Sequence, residues 1–162
     1  MIRFSLSKIQ NNAPYEIELT GSSFRFVTEN NIHYSISFSK EDIVLGGTET
    51  YQFIIQKVDT ERSGHDSKVQ QTILSIIYEF FRLNENVLLY ICDTSDGREA
   101  ARNRLFISWF EKDATPGRFT IKTAKANIDG EVLYTAIIVE NSHPNIKKIL
   151  QDFNEQKEAL EK

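Results

Sequence analysis

Four charged residues near the middle of the chain have the types and spacing of an anion-binding site. They lie in 90-YICDTSDGREAARNRLFISWF-110, where Asp93 ends an apolar run and Asp96 takes the position of a helix cap. Arg98 and Arg102 fall on the buried face of the helix predicted to follow, since successive residues advance by about 100°. Each arginine therefore needs a partner, because an isolated buried charge is strongly unfavourable.

Two hypotheses explain these four residues. In a structural clasp, Arg102, joined by Arg98, reaches Asp93 in a bidentate contact. In a ligand site, both arginines and the free amides of the helix N-terminus hold a phosphate or a carboxylate. Asp93 would then serve as the base or a metal ligand of a hydrolase or transferase acting on a phosphorylated small molecule. The sequence leaves both hypotheses open, and all four residues are candidate ligand-binding residues.

Other catalytic or metal chemistry finds little support in the sequence. Cys92 is the single cysteine and ends an apolar run, where a cysteine is usually a small buried hydrophobe. His33, His65 and His143 lack the spacing of metal ligands. No nucleophile–base pair or phosphate-binding loop appears. We therefore expect a non-enzymatic binding or interaction module, with its polar recognition surface around residues 93–102 and with no metal or cofactor.

The composition predicts a single folded domain over residues 1–162. A chain of this length with 40% hydrophobic residues and eleven Phe can bury a substantial core. Its net charge of -4 gives no general attraction to nucleic acid or to an anionic membrane. No apolar run is long enough for a membrane span or a signal peptide. We expect a cytoplasmic protein whose partner is another protein or a second copy of the chain, and not nucleic acid.

The elements that must position the charged residues follow from the spacing of apolar residues. Residues 1–58 read as a strand-rich meander, because apolar and polar residues alternate. The predicted strands cover 2–7, 15–19 and 51–58, with a hairpin over 24–38 that turns at Glu29-Asn30-Asn31 and a loop at Gly46-Gly47.

Residues 67–160 mix helices and strands. An amphipathic stripe predicts a helix over 67–83, with Ser67 and Gln70 as a capping box. The remaining predictions are a buried strand over 87–92, a hairpin formed by 118–123 and 132–140, and a helix over 144–160 whose charged end frays at 154–162. The strands 51–58 and 87–92 could flank a right-handed parallel crossover. The fold class is α+β, a mostly antiparallel sheet covered by about three helices.

The chain resembles a family of small uncharacterised single-domain bacterial proteins, found mainly in Bacteroidetes-type genomes and known only as a domain of unknown function. The resemblance rests on residues 90–110, on 51-YQFIIQK-57 and 69-VQQTILSIIYEFF-81, and on 140-ENSHPN-145. It covers nearly the whole chain. It implies a stand-alone cytosolic domain whose most distinctive part is residues 92–110, and it brings no established activity.

Overall fold

The computed structural model describes residues 2–57, 66–92, 107–110, 117–128 and 130–161. Within these ranges, seven strands form one mostly antiparallel sheet, in agreement with the predicted α+β class. The strands are β1 (Glu18–Thr20), β2 (Ser23–Val27), β3 (His33–Leu45), β4 (Thr48–Lys57), β5 (Val87–Cys92), β6 (Phe119–Ile128) and β7 (Glu131–Glu140). The helices are α1 (Leu6–Asn12), α2 (Ser67–Leu83) and α3 (Ile146–Glu161), and residues 107–110 are also helical.

The chain divides into two compact units. Unit 1 contains Met1–Ser39 and Phe53–Glu85, and unit 2 contains Lys40–Gln52 and Asn86–Lys162. The order of hydrogen-bonded strands in the sheet is β1-β2-β3-β4-β5-β7-β6, so the long strands β3 and β4 contribute residues to both units. Strands β4 and β5 are neighbours, as the predicted crossover requires. A single domain over the whole chain stays a prediction.

The first prediction that the structure contradicts is the strand over residues 2–7. Residues 6–12 form α1, which buries Ile9 and packs against α2. The alternation of Ile2, Phe4 and Leu6 was misleading because only three apolar positions support it, and Leu6 is exposed in the helix. The first part of the chain is therefore a helix followed by the strand meander.

The hairpin predicted over residues 24–38 is confirmed. Phe24 lies opposite Ile36, and Phe26 lies opposite Tyr34, on the face that the alternation predicts to be buried. The turn passes through Asn31, whose φ of 63° is the left-handed conformation that asparagine tolerates. The strand predicted over 15–19 is shorter than expected, since β1 begins only at Glu18.

Helix α2 has the predicted bounds but a different cap. The N-cap is Asp66, whose carboxylate accepts the Lys68 amide at 2.9 Å, and not the predicted Ser67. The helix packs into an aromatic core in unit 1, where the Phe38 and Phe80 rings stack at 5.1 Å. Phe4 adds its ring to this core, 4.9 Å from that of Phe24.

Unit 2 is built around an antiparallel hairpin and one covering helix. The pairing of β6 with β7 is unbroken from Phe119–Glu140 to Ile128–Glu131, so the two strands form the predicted hairpin. Helix α3 packs on β6 and closes a buried apolar cluster that includes Leu45, Val87, Leu89, Ala124, Ile137, Val139, Ile149 and Phe153. None of the helices among the described residues is long and apolar enough to cross a membrane.

Candidate functional site

A groove on the sheet of unit 1 is a candidate site among the residues that the structure describes. Side chains alternate between the faces of a strand, so the register that buries Phe24, Phe26 and Ile36 turns Arg25 and Ser35 to the opposite face. The groove has a volume of about 640 Å³, within the range of small-molecule sites. Its lining comprises Glu16, Glu18, Arg25, Phe26, Val27, His33, Tyr34, Ser35 and Gln56.

Two rows of side chains cross the groove from strand to strand. In one row, Glu18 of β1 lies opposite Arg25 of β2, which lies opposite Ser35 of β3. In the other row, Val27 of β2 lies opposite His33 of β3. The groove therefore offers carboxylates near β1, a guanidinium on β2 and a hydroxyl on β3.

Ser35 forms the floor of the groove. The residue is only 9% exposed, whereas Glu18, Arg25 and Gln56 are exposed. No described residue hydrogen-bonds its hydroxyl, which can donate one hydrogen bond and accept two. The hydroxyl lies on the open face of the sheet, so it is suited to contact a molecule bound in the groove.

The carboxylates of the groove belong to a segment that unit 1 holds firmly. The Gln10 side chain of α1 donates to the Tyr15 carbonyl at 2.9 Å and accepts the Ile17 amide at 2.8 Å. Glu16 lies between these two bonded residues. The segment that carries Glu16 and Glu18 is thereby fixed to α1, so its acidic side chains extend from an ordered backbone.

A second contact anchors the same segment to α2. The Tyr15 hydroxyl donates to the Asp66 carboxylate at 2.5 Å, and the Tyr15 ring stacks on Phe26. Burial, followed by the bond to Asp66, raises the pKa of Tyr15 to about 12. The same hydrogen bond, acting with the amides of Lys68 and Val69, holds the pKa of Asp66 below its usual value. Tyr15 therefore donates to a carboxylate that stays ionised well into the acidic range.

Glu18 and Arg25 are directly opposed in the sheet but do not form an ion pair. Neither side chain makes a salt bridge to any residue that the structure describes. An exposed pair of this kind would contribute only about 0–1 kcal/mol if it formed. A ligand can therefore use both charges at little cost to the free energy of unfolding.

The residues predicted from sequence as the ligand site cannot be compared with this geometry. Asp93, Asp96, Arg98 and Arg102 all lie outside the described residues. The predicted clasp and the predicted anion site at these positions both stay predictions.

The histidines have separate positions. His65 lies outside the described residues, whereas His33 lines the groove and His143 is buried before α3. The Nδ1 atom of His143 accepts the Asn145 amide at 3.0 Å, which is a capping role. No group of three or more His, Cys, Asp or Glu suited to a metal ion occurs among the described residues.

Sequence reasoning did not find the groove. Its polar residues come from positions 16 to 56 and meet only through the register of four strands. The available signal was the alternation in 24-FRFV-27 and 33-HYSIS-37, which assigns Arg25, His33 and Ser35 to one face. That alternation identifies a polar face of the sheet. The sequence contains no comparable pattern for the curvature that turns such a face into a groove.

The fold and the site together define the class of this protein, an α+β protein with an open polar groove. Residues 65–155 match the model of a family of unknown function, DUF6169, and the chain belongs to that family. The match confirms the resemblance to a domain of unknown function. Searches of curated proteins and of solved structures gave no match. The matched range contains residues 93–102, while the residues that line the groove all precede it.

Proposed function

We propose that this protein is a non-enzymatic binding domain that holds a small polar ligand in the groove of unit 1. The observation that carries the proposal is the groove itself, where Glu18, Arg25 and Ser35 lie opposite one another on three strands. Neither charged side chain makes a salt bridge to a residue that the structure describes. A ligand in the groove can contact both charges and the Ser35 hydroxyl.

The surrounding side chains support binding of a polar molecule. Arg25 offers a rigid fork of donors, Gln56 offers both a donor and an acceptor, and Val27 adds apolar contact area. A few well-placed polar groups beside apolar surface are the usual composition of a small-molecule site. The 18.7 kDa chain is of a size at which each backbone amide can be followed by NMR.

The experiment is a small-molecule screen by NMR on the full chain, with Ser35→Phe as the variant that fills the groove. We expect ligands to shift the amides of β2 and β3, and we expect Ser35→Phe to abolish that binding. Ser37→Phe is the matched control, since Ser37 lies on the same strand and face but does not line the groove. Ligands that still bind Ser35→Phe at wild-type affinity would contradict the proposal.

The sequence-based site supplies a second candidate function. Residues 93–102 lie within the range that matches the family model, which favours a role shared by the family. In this candidate, Arg98 and Arg102 hold the anion of a phosphorylated small molecule, and Asp93 and Asp96 complete the site of a hydrolase or transferase. For either candidate function, we also propose that the protein is bacterial and cytoplasmic, and that its partner is another protein or a second copy of the chain.

The second candidate is tested by adding inorganic phosphate in a thermal-shift assay. If Arg98 and Arg102 bind an anion, phosphate should raise Tm in the wild type and not in Arg98→Ala. If they form a clasp with Asp93, Arg102→Ala and Asp93→Ala should each lower Tm strongly, and the double variant should be little worse than either.

A further inference from the structure

We infer that the ligand of the groove is a small zwitterion, an amino acid or short peptide that carries both a free amino group and a free carboxylate. The inference rests on the proposed function and names the ligand class for the same groove. The amino group lies against Glu16 and Glu18, and the carboxylate lies against Arg25 and the Ser35 hydroxyl.

The groove carries opposite charges at directly opposed positions on β1 and β2. Glu18 and Arg25 are register partners, yet no salt bridge joins them to each other or to another described residue. A ligand that is only an anion would meet the carboxylates of Glu16 and Glu18, and a ligand that is only a cation would meet Arg25. A molecule with both charges can place each charge against the opposite charge of the groove, which is electrostatic complementarity.

The spacing of the strands suits a molecule of one or two residues. Opposed residues on neighbouring strands lie about 5 Å apart, and one extended residue spans about 3.5 Å. A zwitterion of one or two residues therefore places its two charged ends on β1 and β2 or on β1 and β3.

Arg25 and Ser35 together offer the hydrogen-bond donors that a carboxylate needs. Carboxylates accept bidentate hydrogen bonds from arginine, and a serine hydroxyl can donate one more to the same group. Arg25 and Ser35 are opposed in the register, so both can reach one carboxylate. The anchored segment that carries Glu16 and Glu18 supplies acceptors for an ammonium group.

The test measures affinity of the full chain for three matched probes by NMR titration. The probes are glycylglycine, its N-acetyl derivative, which lacks the positive charge, and glycylglycinamide, which lacks the carboxylate. Free glycine is the fourth probe and distinguishes an amino acid from a peptide as the source. We expect glycylglycine or glycine to bind at least about tenfold more tightly than either blocked form, a difference of about 1.4 kcal/mol.

Two variants assign the charges. Arg25→Gln should remove the preference for glycylglycine over the amide and leave the preference over the N-acetyl form. The Glu16→Gln, Glu18→Gln double variant should do the reverse. Glu158→Gln, an exposed change on α3, is the control that should alter neither preference.

The outcomes separate this inference from the proposed function. Blocked and unblocked probes that bind equally would overturn the zwitterion. The zwitterion would also be overturned if other ligands from the screen bind the wild type and not Ser35→Phe, while no zwitterion binds. In that case the groove would still be a binding site. If neither the screen nor the probes shift the amides of β2 and β3, the proposed function and the inference both fail.

Discussion

The sheet of unit 1 leaves one polar face open, whereas the sheet residues of unit 2 pack an apolar cluster beneath α3. In unit 1, buried Phe24 and Phe26 alternate with exposed Arg25 and Val27 along β2. In unit 2, four consecutive residues of β7, from Ala136 to Val139, are all buried. Alternation therefore marks a sheet with one face left open, while a continuous apolar run marks a sheet that is covered on both faces.

The largest effect is expected from truncation inside the cluster of unit 2. Phe153 lies on α3 in that cluster, beside Ile149. Phe153→Ala should lower the free energy of unfolding by about 3–5 kcal/mol, because it removes buried contacts and leaves a cavity. Chemical denaturation measures this change. A loss below about 1 kcal/mol would show that α3 does not cover a packed core.

The next effect concerns the turn between β3 and β4, where two adjacent glycines provide a matched pair. Both have positive φ, 57° at Gly46 and 74° at Gly47. A Cβ at Gly46 would lie 2.8 Å from the Ile149 backbone nitrogen, whereas a Cβ at Gly47 would meet nothing within 4 Å.

Gly46→Ala should therefore cost about 2–5 kcal/mol, from left-handed backbone strain together with overpacking against α3. Gly47→Ala should cost only the strain, about 1–2 kcal/mol. Denaturation of the two variants side by side measures the difference. Equal losses would mean that the turn does not pack closely on α3.

A smaller effect is expected at the anchor of the groove in unit 1. Tyr15→Phe removes the hydrogen bond to the ionised Asp66, which should cost about 1.5–3 kcal/mol. The raised pKa of Tyr15 means that its contribution is complete below pH 10 and is lost as the pH rises to about 12. The lowered pKa of Asp66 means that its contribution is present above about pH 4 and is lost as the pH falls through the lowered value.

The difference in unfolding free energy between the wild type and Tyr15→Phe should thus be constant from about pH 5 to pH 9 and shrink at both extremes. Urea denaturation across this pH range measures it. A difference that does not change above pH 10 would show that the Tyr15 hydroxyl is not held by Asp66.

The smallest effect is expected on the open face. Arg25→Ala should change the free energy of unfolding by no more than about 0.5 kcal/mol, since its side chain is exposed and makes no described salt bridge. The same variant should weaken ligand binding strongly. A large loss of stability in Arg25→Ala would contradict this contrast between the two units, because the open face of unit 1 would then also contribute to the stability of the fold.

The sequence predicts the long periodic elements well. Helix α2 and the hairpin of β6 and β7 follow from apolar positions with a consistent period, and strand β5 follows from a continuous apolar run. Helix α1 was missed because a short alternating run cannot distinguish a strand from a helix that buries one residue. The cap of α2 lies one residue before the predicted position, because Asp66 and Ser67 are both common N-cap residues and the capping-box pattern favours Ser67.

The candidate site divides in the same way. Arg98 and Arg102 attract attention because they are close in sequence to Asp93 and Asp96. Glu18, Arg25 and Ser35 lie on three strands, and only pairing brings them together. Local patterns therefore predict candidate residues on one helix or loop, whereas a groove across several strands requires the register of the sheet.

Gln10 has a consequence beyond the position of Glu16. Its amide group meets the Tyr15 carbonyl and the Ile17 amide with the donor and acceptor that a neighbouring β-strand would present. These two backbone groups are therefore already hydrogen-bonded. A strand of another chain could otherwise pair with them, and such edge pairing commonly leads to aggregation. One glutamine side chain takes the place of a neighbouring strand at Tyr15 and Ile17, and it leaves these two backbone groups without a bond to offer another chain.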